Sequence, residues 1–165
     1  MKVVPLFPLL LLAGCLAPLK PIVNLEPGVS LKDYRVVVVG PVSDRSGYPF
    51  KYKVEDSVRA RIVDQLRKDG LTLAPDTTHT AAPILFVVTS IDKFKSGALA
   101  LQSPNAISSS GCTVSSRLLD GHTGRRLGEI VASELSSDDT QPTSPFGLLM
   151  TCARMVGEEI GRRSH

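Results

Sequence analysis

Two periods alternate along this chain. From Tyr34 to Val39 the residues Tyr-Arg-Val-Val-Val-Val form a β-branched run that stops at Gly40-Pro41. Apolar residues at consecutive positions predict a strand covered on both faces, hence one in the middle of a sheet. Residues Val42 to Lys53 carry Ser, Asp, Gly and Pro and read as a surface loop. At Val54 the period becomes helical. Val54, Val58, Ile62 and Leu66 recur at four-residue steps with Val63 beside them, and Glu55, Asp56, Arg59, Asp64, Arg67 and Lys68 fill other positions. Acids early, bases late and Gly70 as a stop predict an amphipathic helix. Leu71 to Ala74 reads as a short strand ending at Pro75, and Asp76 to Ala82 as a polar turn.

The stretch Pro83 to Ile91, PILFVVTSI, predicts a second strong strand. Lys95 to Ser110 is rich in Ser, Gly and Ala, contains Pro104-Asn105, and reads as a long loop. Cys112 to Asp120 and Arg125 to Leu135 then form two extended arms around the turn Gly121-His122-Thr123-Gly124, the pattern of a hairpin. After a polar loop at 136–145, Ser144-Pro145 supplies an N-cap and a proline for the first helical position. Phe146, Leu149, Met150, Ala153, Val156 and Ile160 trace one face of a closing helix, and Arg162-Arg163 suit the negative end of its dipole. The order β-α-β-β-β-β-α predicts an α+β domain: a mixed or antiparallel sheet of about five strands with two helices packed on one face.

Composition narrows the function classes. The 165 residues are 42% hydrophobic and 21% charged, the balance of a globular domain rather than a disordered one. Aromatics are only 5% and tryptophan is absent, which argues against a sugar-stacking or base-stacking platform. A net charge of +3 without a clustered basic stripe gives no reason to expect a nucleic-acid partner.

The N-terminus speaks about location. Lys2 precedes an apolar stretch from Val3 to Leu12, closed by the small residues Ala13 and Gly14. That is the layout of a secretory signal peptide, and it is shorter than the roughly 20 apolar residues that span a bilayer. Leu12-Ala13-Gly14-Cys15 resembles the bacterial lipobox. The resemblance implies cleavage between Gly14 and Cys15, diacylglycerol on the Cys15 sulfur, and an acyl chain such as palmitate on the new amino group. Two or more chains hold a protein to a membrane stably, where one does so only marginally. Leu16 stands where an aspartate commonly retains Gram-negative lipoproteins in the inner membrane, so the resemblance implies the outer membrane and a domain facing the periplasm. Residues 16–33, with three prolines, read as an extended tether. The expected division is a signal peptide at 1–14, lipidated cysteine and tether at 15–33, and one domain at 34–165.

With Cys15 taken by lipid, Cys112 and Cys152 remain. In an oxidising compartment they could pair in a disulfide, which the chain-entropy model values at roughly 4 kcal/mol for a loop of this size. The alternative is two buried free thiols, common in cores.

The hairpin adds a further likeness. The segment Leu-Leu-Asp120-Gly-His-Thr-Gly124-Arg-Arg-Leu-Gly128-Glu, with its Asp-x-x-Thr-Gly turn, resembles small bacterial outer-membrane lipoproteins that carry domain of unknown function 4410. The likeness extends in outline over residues 34–163 and implies no reaction. In the turn itself Asp120 can accept backbone hydrogen bonds, Thr123 can assist, and Gly124 can take a positive φ. These are structural roles.

Candidate chemistry is sparse. His79, His122 and His165 have no ligand-like spacing, so no metal site is expected. Ser108-Ser109-Ser110-Gly111 has no nucleophile elbow, and Gly40 to Gly47 lacks the ending of a phosphate loop. Glu55-Asp56 suits a helix start, and Asp138-Asp139 a solvated loop. Cys112 with His122 could form a thiol–imidazole pair if the hairpin brings them together. Tyr48-Pro-Phe-Lys51-Tyr52-Lys53 interleaves aromatics and lysines and could contact lipid, a glycan or a protein, or pack its rings beneath the loop.

The expected function is a lipid-anchored, non-enzymatic interaction or assembly accessory of the cell envelope. Its partners would be the membrane, through Cys15, and an envelope protein. No catalytic residue and no cofactor is expected. The alternatives are a thiol-dependent hydrolase on Cys112 and His122, or a secreted small-ligand binder.

Overall fold

A computed structural model describes residues 20–78, 81–95, 109–137 and 144–165. Its elements are β1 (Ile22–Leu25), β2 (Val36–Asp44), α1 (Val54–Lys68), β3 (Thr72–Leu73), β4 (Ile84–Lys95), β5 (Ser109–Asp120), β6 (Arg126–Ser137) and α2 (Pro145–Ser164). The strands form a six-stranded sheet in the order β1-β6-β5-β4-β2-β3. Strand β2 runs parallel to both β3 and β4, while the β4–β5, β5–β6 and β1–β6 pairs are antiparallel. This is the mixed α+β sheet that the two periods predict, with one strand more.

The additional strand is β1. It lies inside the expected tether, where three prolines and short apolar stretches conceal it. Ile22 to Leu25 pair with Val131 to Gly128, and Val23, Leu25 and Val29 lean on the core. Leu31 and Tyr34 are buried in it. The folded body therefore includes residues 22–33, which the expected division gave to the tether.

Two further boundaries shift for identifiable reasons. Gly40-Pro41 does not end β2; the pairing with β4 slips between Val39 and Val42 and resumes as far as Asp44. A bulge absorbs the proline, which has no N–H to give a ladder. Gly40 leaves little room there: a Cβ would lie 3.1 Å from the Phe86 ring, which would have to shift to admit it. Strand β2 is also not central. It sits one place from the edge, beside the two-residue β3, and its β-branched run is buried for another reason. The connection from β3 to β4 must cross β2, and Pro75, Asp76 and Thr77 line a groove over Val38 on the face away from the helices. Strands β5 and β6 each extend beyond the expected arms, to Ser109 and Ser137.

Both helices lie on the other face. Val37, Leu85, Val87, Ile91, Val114, Leu118 and Ile130 from the sheet meet Val58, Ile62, Leu66, Leu149, Val156 and Ile160 from the helices in one core. Helix α1 approaches α2 closely because Gly157 and Gly161 present no side chain. A Cβ on Gly157 would lie 2.7 Å from Gln65 Cβ, and one on Gly161 would strike the Asp69 carboxylate. Ser144 caps α2, its hydroxyl accepting from the Gly147 N–H at 3.0 Å.

Candidate functional site

The most closely bonded polar cluster is the β5–β6 turn. Asp120 Oδ1 accepts from the Thr123 N–H at 2.9 Å, the Thr123 hydroxyl at 2.8 Å and the His122 N–H at 3.1 Å. Its Oδ2 accepts from the Tyr34 hydroxyl at 2.9 Å. Gly124 takes φ +70° and donates to the Asp120 carbonyl at 2.8 Å, a conformation that costs glycine least. The Thr123 backbone N–H is the main cause that holds the Asp120 carboxyl down to about 2; burial opposes it, and the Thr123 and Tyr34 hydroxyls add to the lowering. Burial, then the facing carboxylate, pushes the Tyr34 phenol above its ordinary value. These groups are spent on one another, which makes the turn a lock between residue 34 and the hairpin.

Cys112 near the start of β5 and Cys152 on α2 are both buried, and the structure holds them as free thiols, the second of the two possibilities, rather than as a disulfide. The Cys112 thiol points to the Leu148 carbonyl at 3.4 Å, and the Cys152 thiol to the Cys112 carbonyl at 3.9 Å. The hydrogen bond with Cys112, and then burial, pushes the Cys152 thiol far up, so it carries no thiolate at neutral pH. Cys112 and His122 do not meet. They lie at opposite ends of β5, separated by roughly 30 Å of extended strand. The thiol–imidazole pair of the hydrolase alternative is not formed.

The histidines do not converge. His122 Nε2 bonds the Ala82 carbonyl at 2.9 Å. His165 bonds Arg35 Nη1 through Nδ1 at 2.9 Å and the Asp69 carbonyl through Nε2 at 2.7 Å. Arginine can only donate and a carbonyl only accept, which fixes His165 as the Nε2–H tautomer in this arrangement. His79, Ser108 and Asp138-Asp139 lie outside the described residues, as do Gly14 and Cys15. No group of three or more His, Cys, Asp or Glu able to hold a metal ion occurs among the described residues. Glu55-Asp56 sit in the first turn of α1.

The loop 48–53 divides its side chains. Tyr48 and Phe50 stack on Phe94 at the end of β4, with ring centroids 4.6 and 4.9 Å apart. Tyr52, with Lys51 and Lys53, faces solvent. The groove over β2, about 460 Å³, is floored by Val38, Phe86 and Leu119 and rimmed by Pro75 and Asp120. Arg59 at its margin is engaged, donating from Nε to the Val39 carbonyl at 3.0 Å. On the open sheet face, hydroxyls bond across strands: Ser90 with Ser115 and Thr113 with Ser133, each at 3.1 Å. Sequence reasoning missed this ladder, although Ser and Thr along three predicted strands, β4, β5 and β6, were its signal. The Ser90 hydroxyl also donates to Asp92 Oδ1 at 2.8 Å, on its own strand.

Solved structures share the fold. PelC of Paraburkholderia phytofirmans, a dodecamer, is 12% identical with a TM-score of 0.57, over 88% of this chain and 98% of that one. A hypothetical protein of Chlamydia trachomatis is 13% identical with a TM-score of 0.56, over 78% of this chain and 96% of that one. A Xanthomonas campestris protein of domain of unknown function 330 is 12% identical with a TM-score of 0.53, over 86% and 89%. No family model matches the chain, and no curated protein matches it. No helix among the described residues is long and apolar enough to cross a membrane.

Proposed function

We propose that this chain is a lipid-anchored cell-envelope protein that acts as an interaction or assembly accessory. The observation that carries the reading is the placement of the lipobox-like Leu12-Ala13-Gly14-Cys15 seven residues before β1, the edge strand of the sheet. Acylation at Cys15 would attach the folded body to a membrane by a short link. Confinement then raises its effective concentration near membrane partners without any new contact. The polar clusters support contact over chemistry, since the Asp120 turn is satisfied internally and the Cys152 thiol is protonated. The likeness to PelC supports an assembly role, further copies of this chain being one class of partner.

Mass spectrometry of the membrane-extracted protein tests this. The expected mass lacks residues 1–14 and includes lipid on Cys15, and a Cys15→Ser form is recovered without lipid in the soluble fraction. An unlipidated mass with Cys15 intact would overturn the reading. The same spectra, taken after alkylation with and without reduction, report whether Cys112 and Cys152 remain thiols in the envelope.

A further inference from the structure

We infer that one end of the sheet lies against the bilayer surface, with Tyr52, Leu135 and Phe146 entering its headgroup region. The inference rests on lipid anchoring at Cys15 and adds an orientation and a contact surface to it. Strand directions define the end. Strands β2 and β4 finish there, β5 begins there, β6 finishes there, and both helices start there. The large hydrophobic residues left exposed among the described residues are Ile22 at 63%, Tyr52 at 71%, Leu135 at 67% and Phe146 at 43%. Three of them surround this end from different elements. Tyr52 stands in the loop that enters α1, Leu135 lies near the end of β6, and Phe146 occupies the first turn of α2. Ile22 opens β1 opposite Val131, partway along β6, and β1 runs from there away from this end.

The short link makes the occupant a membrane. Five residue steps lead from Cys15 to Lys20, and fully extended they reach at most about 17 Å. An anchor that close cannot present the opposite end to the lipid while this end faces away. The side chains also suit an interface. Lys51 and Lys53 flank Tyr52, and Lys20 and Lys93 are exposed nearby. Tyrosine and lysine settle at the headgroup level, the ring inward and the ammonium in water. Acids at this end, Asp44, Glu55, Asp56, Asp92 and Glu134, balance the bases, so apolar contact rather than net charge holds the surface down. With the lipid chains already supplying affinity, a few side chains suffice to fix orientation.

Tryptophan is absent from the chain, so Tyr52→Trp, Phe146→Trp and Lys32→Trp each introduce a single reporter. Lys32 is exposed at the opposite end, beside the buried Leu31. Acylated full-length protein, purified from bacterial membranes, is reconstituted into vesicles of phosphatidylethanolamine and phosphatidylglycerol with brominated acyl chains. The expected result is loss of fluorescence and a blue shift at positions 52 and 146, with position 32 unchanged. Thermal melts confirm that each variant is folded. Co-flotation with the vesicles without quenching at 52 and 146 would overturn the contact and leave the anchor standing. Equal quenching at all three positions would overturn it too, as would crosslinking between copies through position 52. A chain that carries no lipid and does not float would remove the anchor, and this proposal with it.

Discussion

At one end of the sheet, where β2 and β4 begin and both helices finish, side chains are charged and tied to one another; at the other, where both helices start, large apolar side chains face solvent. The tied end holds the Asp120 turn, the Arg35–His165–Asp69 chain, and Glu159 accepting from Arg162 at 2.5 Å and Arg163 at 2.6 Å. Burial works to raise the Glu159 carboxyl, and the two guanidinium groups outweigh it, leaving it below its ordinary value. None of the exposed large hydrophobics among the described residues lies at that end. Cohesion and contact are thus separated along the strands. A residue at the tied end should matter to stability, and one at the apolar end to where the protein sits.

The sharpest way to break that division is at the helix contact near the tied end. Gly161→Val would drive a side chain into Asp69, and overpacking of this kind should cost about 3 kcal/mol, read as a lower midpoint in urea unfolding. Asp120→Ala comes next. It strands the Tyr34 hydroxyl and the turn donors together, and a loss of about 2 kcal/mol is expected in the same assay. Acid probes the cluster without mutation. Asp120 is held to about 2 against an ordinary value near 3.8, so its contribution is complete above pH 4 and is lost as pH falls towards 2. The wild type should lose thermal stability over that window, and Asp120→Ala should lose less. The smallest effect on stability is expected at the other end. Tyr52→Ser should change the unfolding free energy by no more than about 0.5 kcal/mol, while hydrogen exchange on vesicles should show the 48–53 loop less protected than in wild type.

How far the sequence carried depended on local against distant causes. The four-residue steps from Val54 to Leu66 determine α1 by themselves, and they correspond to its buried face. The strands of the hairpin and the run Ile84 to Ile91 were equally legible, because alternation or continuous apolarity shows in a single segment. Strand β1 was not. Ile22 to Leu25 is four residues between prolines, and it becomes a strand only because β6 offers an edge. The burial of Val38 was visible and its cause was not, since the cover comes from Pro75 to Thr77. At the candidate site the residue types were legible, but whether Cys112 could reach His122 depended on how far the hairpin extends. The apolar end could not be seen at all, because Tyr52, Leu135 and Phe146 are scattered through the sequence and gathered only by topology.

The pairing of Ile22 with Val131 carries a consequence for the order of assembly. A chain emerging from its N-terminus delivers β1 first and its partner nearly last. Until β6 is in place, β1 has no edge to join, and closing so long a loop is slow compared with forming α1 or the β5–β6 hairpin. The strand nearest the proposed anchor would therefore be the last piece of the sheet to dock, and its arrival would convert a loosely held body into one with a fixed bearing.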